Sequence, residues 1–149
     1  MEQKIWGTTT VTASSEIYSS HTLKIEKGGY CSIHYHKYRS NKFTVISGKL
    51  LIAMWYGPHI EKVILSTIFP IFKIPSLVPH MFIALENSET IEEYYPDRNE
   101  AVQQEDITRL TEGGKLTGDI FHSVKDNITT LRDLPHTLMM SYIIEHNSN

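Results

Sequence analysis

From residue 6 to about residue 96 the apolar positions follow the rhythm of β-strands, and no helical period is visible. "TLKIEKG" alternates apolar and polar positions and breaks at Gly28-Gly29, and "YCSIHYH" is rich in strand-forming residues. "KFTVISGKLLIAMWYG" carries β-branched and aromatic residues on both sides of Ser47-Gly48, which reads as a hairpin turn. "EKVILSTIFPIFKIP" predicts a further strand pair bent at Pro70. "HMFIALEN" predicts a strand that ends in the polar turn "ENSE", and "TIEEYYP" another, closed by "PDRNE". Many short strands separated by turn signals point to a sandwich or barrel.

The tail changes character. "EDITRLTEGGK" allows a short helical turn before Gly113-Gly114. In "TGDIFHSVKDNITTLRDLP", Thr117 is a candidate N-cap, and Ile120, Val124, Ile128 and Leu131 recur at helical spacing. "HTLMMSYIIEH" then reads as a last strand. No Gly/Ser- or Pro-rich linker interrupts the chain. One domain over 1–149 is expected, with a core at about 20–96 and a C-terminal extension over about 97–149.

Composition narrows this picture. A chain of 149 residues is long enough for one domain with a real core. A formal charge of -3 gives no basic footprint, so no nucleic-acid partner is expected. The longest apolar run holds Pro70 and is too short to span a bilayer as a helix, so no membrane partner is expected. The first residues lack the apolar run of a signal peptide, and Cys31 is the sole cysteine, which excludes an intrachain disulfide. Both features predict a cytoplasmic protein.

The chemistry concentrates in "GGYCSIHYHKYRSNKFTVISG", residues 28–48. On a strand, residues two apart share a face, so His34 and His36 would project together, as neighbouring metal ligands must. Tyr30 and Ser32 would share that face, and Cys31, Ile33 and Tyr35 the other. Asn41, Phe43, Val45 and Ser47 would share one face of the next strand, and His80, Phe82 and Ala84 one face of a third. Any one of these histidines alone is more often structural than a ligand.

The spacing from Gly28 to His34, His36, Asn41 and Gly48 resembles the first motif of the cupin superfamily: Gly, five residues, His-x-His, three or four residues, Glu, six residues, Gly. Asn41 stands where that motif has Glu. "PSLVPH" resembles the second motif, Pro-x-Gly-x-x-His, with Pro75 and His80 in place and Leu77 instead of Gly. The Asn expected four residues after that histidine is Ala84. His80 follows His36 by 44 residues, a usual separation in short cupins.

The resemblance covers roughly residues 20–96. It implies an all-β double-stranded β-helix, or jelly roll, followed here by the short C-terminal helical segment and the final strand. Its ligand set implies that His34, His36, His80 and Asn41 hold one divalent transition metal: iron, manganese, nickel, cobalt, copper or zinc. Phe43 and Phe82 would wall the pocket, with Tyr30 and Ser32 also facing substrate. Losing the motif Glu removes the base used by several cupin oxygenases. By strand parity one of Glu92 and Glu93 must face inward; with Tyr94 they are the candidates for acid–base work. Lys37, Tyr38, Arg39 and Lys42 form a basic, aromatic loop beside the site. Arg39 and Lys42 could hold a phosphate or carboxylate there, or the loop could simply be solvated. The other histidines, His21, His59, His122, His136 and His146, have no such register and are taken as ordinary.

A shorter resemblance follows the last motif. Asp106-Ile107-Thr108-Arg109 is similar to a segment of sugar-nucleotide and sugar-phosphate cupins, such as the C-terminal domain of type II mannose-1-phosphate guanylyltransferases. A capping turn with an Arg salt bridge explains the same residues.

Together these features predict a metal-dependent enzyme acting on a polar small molecule, a sugar or sugar acid, by isomerase, epimerase or lyase chemistry. The alternatives are a non-catalytic small-molecule-binding cupin, with or without metal, an iron-dependent dioxygenase, and an interaction protein that uses its outer sheet. Cupins commonly pair through sheet edges, which predicts a homodimer.

Overall fold

In the computed structural model the residues described are 1–57, 59–96 and 106–116. The expected C-terminal helix and last strand lie outside them. Among the described residues the strands run in chain order as β1 (Glu2–Lys4), β2 (Gly7–Ser15), β3 (Tyr18–Ile25), β4 (Gly29–Tyr30), β5 (His34–Tyr35), β6 (Arg39–Ser47), β7 (Leu50–Tyr56), β8 (His59–Leu65), β9 (Ile71–Ile74), β10 (His80–Ala84), β11 (Ser88–Pro96), β12 (Thr108–Arg109) and β13 (Gly114–Lys115). No helix occurs among the described residues. "TRLTEGGK" instead supplies two short strands, a correction to the helical turn expected there. All the strands belong to the compact unit Met1–Lys115.

They form two antiparallel sheets. One has the order β1-β2-β3-β11-β6-β9; in the other, β10 lies between β7 on one side and β4 and β5 on the other, with β12, β13 and β8 outside these. The two inner faces make the core. β6 shows why: Arg39, Asn41, Phe43 and Val45 are buried, while Lys42 and Thr44 are half-buried on the opposite face. Central strands read differently, because both of their faces are covered. Leu50 to Met54 and His80 to Ala84 are buried without interruption.

Ser47-Gly48 does not close a hairpin. β6 pairs with β11 and β9, whereas β7 pairs with β10 and β8, so the turn carries the chain from one sheet to the other. Gly48 has φ 86°, and a Cβ there would stand 2.4 Å from the Asn87 carbonyl oxygen. A left-handed backbone in contact with a neighbouring main chain leaves room only for glycine.

A second departure lies between β4 and β5. Along β10, Ile83 pairs with Tyr30 and His80 with His34. Three residues, Cys31 to Ile33, therefore oppose two, Met81 and Phe82. The extra residue is a bulge, and a bulge resets which side chains share a face.

Candidate metal centre

The bulge sets the first wall of the site. His34 is opposite His80, so both imidazoles leave the sheet on the inner face. Tyr30 is opposite Ile83 and leaves on the outer one, where its ring packs on Gly114. Tyr30, expected to share the histidine face, is thus turned away. Cys31, expected on the far side, borders the interior cavity, and burial pushes its thiol pKa up.

His34, His36 and His80 converge from β5, the loop after it, and the start of β10. Their candidate ligand atoms all lie within 4.8 Å of one another, and all three are buried. Ring centroids are 5.1 Å apart for His34–His36, 4.5 Å for His34–His80 and 5.4 Å for His36–His80. Each Nδ1 has a main-chain carbonyl partner: Ser32 at 2.7 Å, Asp106 at 2.7 Å and Val78 at 2.9 Å. A carbonyl only accepts, so each Nδ1 carries the proton and each Nε2 keeps its lone pair, the arrangement that metal-binding imidazoles need. The Arg39 Nε also lies 3.4 Å from His36 Nδ1, but the shorter Asp106 bond decides the tautomer.

Burial is the main force holding the three rings neutral. It lowers His36 to about 3, with help from the Arg39 charge, and His80 to about 4. His34 is pushed well down by burial and then by the charges of His80 and His36. Neutral imidazole is the form that ligates. The donor set fits a divalent transition metal on a further count: His36 Nε2 and Asn41 Oδ1 are buried with no hydrogen-bond partner. Such orphaned acceptors are costly unless something else fills the place.

Asn41 stands between the triad and a carboxylate. Its Nδ2 donates to Glu92 Oε2 at 2.9 Å and lies 3.4 Å from His80 Nε2. A half-turn of the amide would bring Oδ1 round as a fourth donor, but it would also set Oδ1 against Glu92, which is tolerable only when Glu92 is protonated. Glu92 is pushed upward by burial, opposed by its hydrogen bonds with Asn41 and Tyr94 and by the Arg39 charge. A carboxylate from β11 therefore stands against Asn41, the residue found where the motif has Glu.

The neighbouring candidates divide by strand face. Glu92 and Tyr94 border a cavity of about 400 Å³ that opens beside His34. Glu93 points the other way, a correction to its place among the acid–base candidates. It accepts hydrogen bonds from Tyr18 and Tyr95 and pairs with Lys42 at 3.4 Å. Lys42 is on that outer face with it, not in the site. Arg39 is buried inside, its Cζ 3.8 Å over the Tyr94 ring. Ser32 and Phe82 line the cavity; Phe43 is fully buried behind Phe82, at 6.1 Å between centroids.

Asp106 and Arg109 have separate roles. The Asp106 carboxylate accepts from the Lys37 and Tyr38 N–H groups, both at 2.8 Å, and so pins the loop that carries His36. Arg109 is opposite His34 in the β5–β12 ladder. The alternative explanation of this segment, a capping turn with an Arg salt bridge, finds no Arg109 salt bridge among the described residues.

His21, which has no motif register, also lines the cavity, edge-on to Tyr94 at 5.3 Å. Extending the alternation of Ile25 and Leu23 back by two residues would have put it on the inner face. Trp6 reaches the cavity from ahead of the motif region and meets Phe82 edge-on at 5.1 Å. Nothing in its sequence neighbourhood signals this.

No family model and no curated protein matches the chain. Solved structures do. KdgF from Halomonas sp. aligns at 21% identity and TM-score 0.57, covering 66% of this chain and 88% of that one. Capsular polysaccharide assembling protein CapF from Staphylococcus aureus aligns at 18% and 0.60, covering 73% of this chain. Bacillus subtilis oxalate decarboxylase OxdC aligns at 17% and 0.60, covering 74%. The chain spans 33% of the CapF chain and 29% of the decarboxylase chain. This is the cupin fold, an all-β pair of sheets whose inner faces carry three histidines able to hold a metal.

Proposed function

We propose that the protein is a metal-dependent cupin enzyme acting on a small polar molecule, a sugar or sugar acid, by isomerase, epimerase or lyase chemistry. The observation that carries this is the triad itself: three neutral, buried imidazoles with their Nδ1 protons fixed on carbonyls and their Nε2 atoms turned together. His34, His36 and His80 would hold the ion, with Asn41 Oδ1 as a further donor after the half-turn. A bound divalent metal supplies Lewis acidity toward a carbonyl or hydroxyl oxygen.

The chain's own residues supply the rest. Glu92 can accept or return a proton at Oε2, and burial raises its pKa above the ordinary carboxylate value. Asn41 and Tyr94 hold that carboxylate by hydrogen bonds, and Arg39 over the Tyr94 ring fixes the phenol. Leu23, Phe82 and Trp6 give the cavity an apolar wall that limits water. An inward acid–base group beside the triad favours turnover over mere binding. The three structural neighbours named above include a decarboxylase and a protein of polysaccharide assembly, both names consistent with small polar substrates.

Metal content of protein purified without chelator or nickel resin tests the proposal. About one equivalent of a single metal is expected, and none in His34→Ala/His80→Ala. Isomerase and lyase panels on sugars and sugar acids then follow. No metal in the wild type, even after adding it back, would overturn the enzyme and leave a ligand-binding jelly roll.

A further inference from the structure

Two of the three triad imidazoles are oriented by their own stretch of chain. His34 Nδ1 donates to the Ser32 carbonyl and His80 Nδ1 to that of Val78, each two residues back. His36 differs: its Nδ1 donates to the Asp106 carbonyl, 70 residues away. It lies just past β5, where no ladder holds it, and its Nε2 is buried without a hydrogen-bond partner. The orientation of His36 therefore depends on a segment that the two histidine motifs do not reach.

That segment runs antiparallel to residues 33–38. Thr108 and Arg109 pair with Tyr35 and His34. The Leu110 N–H donates to the Ile33 carbonyl at 2.7 Å, and the Thr111 hydroxyl accepts from the Ile33 N–H at 2.8 Å. Asp106 closes the far end with three bonds to three consecutive residues. Its carbonyl takes the His36 ring proton at 2.7 Å, and its carboxylate takes the Lys37 and Tyr38 N–H groups, one on each oxygen, at 2.8 Å. Bonds to a charged acceptor are stronger than neutral ones, and two of them fix the residue's place. The other polar neighbour of Nδ1 among the described residues is Arg39 Nε at 3.4 Å, which can only donate. Beside that donor alone, Nδ1 would take the acceptor role and the proton would move to Nε2, the atom a metal needs bare.

We propose that Asp106 is a positioning residue of the metal centre, a clamp whose carboxylate locks the 36–38 loop so that its carbonyl holds His36 with Nε2 open to an ion. This deepens the reading of the triad as a metal site and rests on it. By linkage, ion binding and the docking of residues 106–111 strengthen each other.

The test uses the intact, metal-stripped chain with Co2+ as the probe, its visible absorption reporting occupancy and geometry. Wild type should bind saturably. Asp106→Ala should bind about 10–100-fold more weakly. Asp106→Asn should fall between, since an amide offers one acceptor oxygen to two N–H groups. Asn87→Ala removes a bond of the same kind, from the Lys27 N–H at 2.8 Å, in the turn between β10 and β11, and should leave the affinity unchanged. Without metal, nitrogen-15 spectra of the imidazoles at pH 7 should show His36 as the Nδ1–H tautomer in wild type and shifted toward Nε2–H in Asp106→Ala. His34 and His80 should not move, whereas a general loss of stability would not single out one ring. Co2+ affinity unmoved by Asp106→Ala, or weakened as much by Asn87→Ala, would overturn the clamp, as would an unchanged His36 tautomer. Wild type that takes up no Co2+ would overturn the metal reading instead, and the tautomer comparison, made without metal, would then decide the clamp alone. Should Asp106→Ala not fold, Asp106→Asn carries both measurements.

Discussion

Glu92 and Glu93 are adjacent in β11 and face opposite ways. Glu92 points into the interior between His21 of β3 and Phe43 of β6, its partners in the two ladders. Burial raises its pKa. Glu93 points outward into a cluster of Tyr18, Tyr95 and Lys42, whose hydrogen bonds and charge lower its pKa. The residue type is the same and the backbone is continuous; strand parity alone separates them. The outer carboxylate is satisfied and stabilises the fold. Burial disfavours the charged form of the inner one, which is how a fold stores a group for chemistry.

Substitution should split the two. Glu92→Gln removes the proton carrier, and turnover of whichever substrate the isomerase and lyase panels identify should fall by about 10²–10⁴-fold. The same change removes a group whose charged form burial disfavours, so the metal-stripped protein should become more stable above pH 4.5, seen as a rise in Tm. Glu93→Gln should do the reverse, leaving turnover within about twofold and costing about 1 kcal/mol through its weakened hydrogen bonds. Full activity in Glu92→Gln, or lost activity in Glu93→Gln, would break the comparison.

The pH dependence sharpens it. Glu93 has a folded pKa below its unfolded value of 4.5. Its contribution is complete above that value and is lost as pH falls through the lowered folded pKa. Glu92 has the opposite sign: its raised pKa means that the native state holds the proton more tightly, and stability from this group declines as pH rises from 4.5 through the folded value. Denaturation midpoints of Glu93→Gln and wild type should therefore converge below pH 4.5, while those of Glu92→Gln and wild type should diverge above it. Parallel curves would show that neither carboxylate senses its side of the sheet as described.

Parity explains both what the sequence revealed of this site and what it hid. The triad was legible because His34, His36 and His80 sit at motif spacing, and the inward Glu of the pair followed from alternation once a strand was assumed. Tyr30 and Cys31 were misplaced because one extra residue between β4 and β5 reverses the count, and no residue type in "YCSI" marks a bulge. Lys42 was grouped with Arg39 as a basic loop, yet the two lie on opposite faces of a regular β6. Arg109 and Trp6 depend on pairings between distant segments, Arg109 through a two-residue strand, which local pattern cannot report.

Leu77 is the case where sequence and backbone disagree. The second motif has glycine at this place, and the chain still takes the glycine conformation: Leu77 has φ 66°, the only positive φ at a non-glycine among the described residues. Its N–H donates to the His36 carbonyl at 2.7 Å, so the turn braces a triad loop and cannot relax without disturbing it. A left-handed residue with a Cβ costs about 1–2 kcal/mol, and the side chain is 62% exposed, so little burial offsets that strain. Leu77→Gly relieves it but adds about 0.5–1 kcal/mol of unfolded-state entropy. A net gain of about 0.5 kcal/mol follows from the difference, or a rise of about 1–2 °C in Tm, with metal content unchanged. A fall in Tm would mean that the leucine side chain contributes packing that its exposure does not suggest. A change in metal content at constant Tm would mean that the turn's stiffness, beyond its hydrogen bond, sets the position of His36.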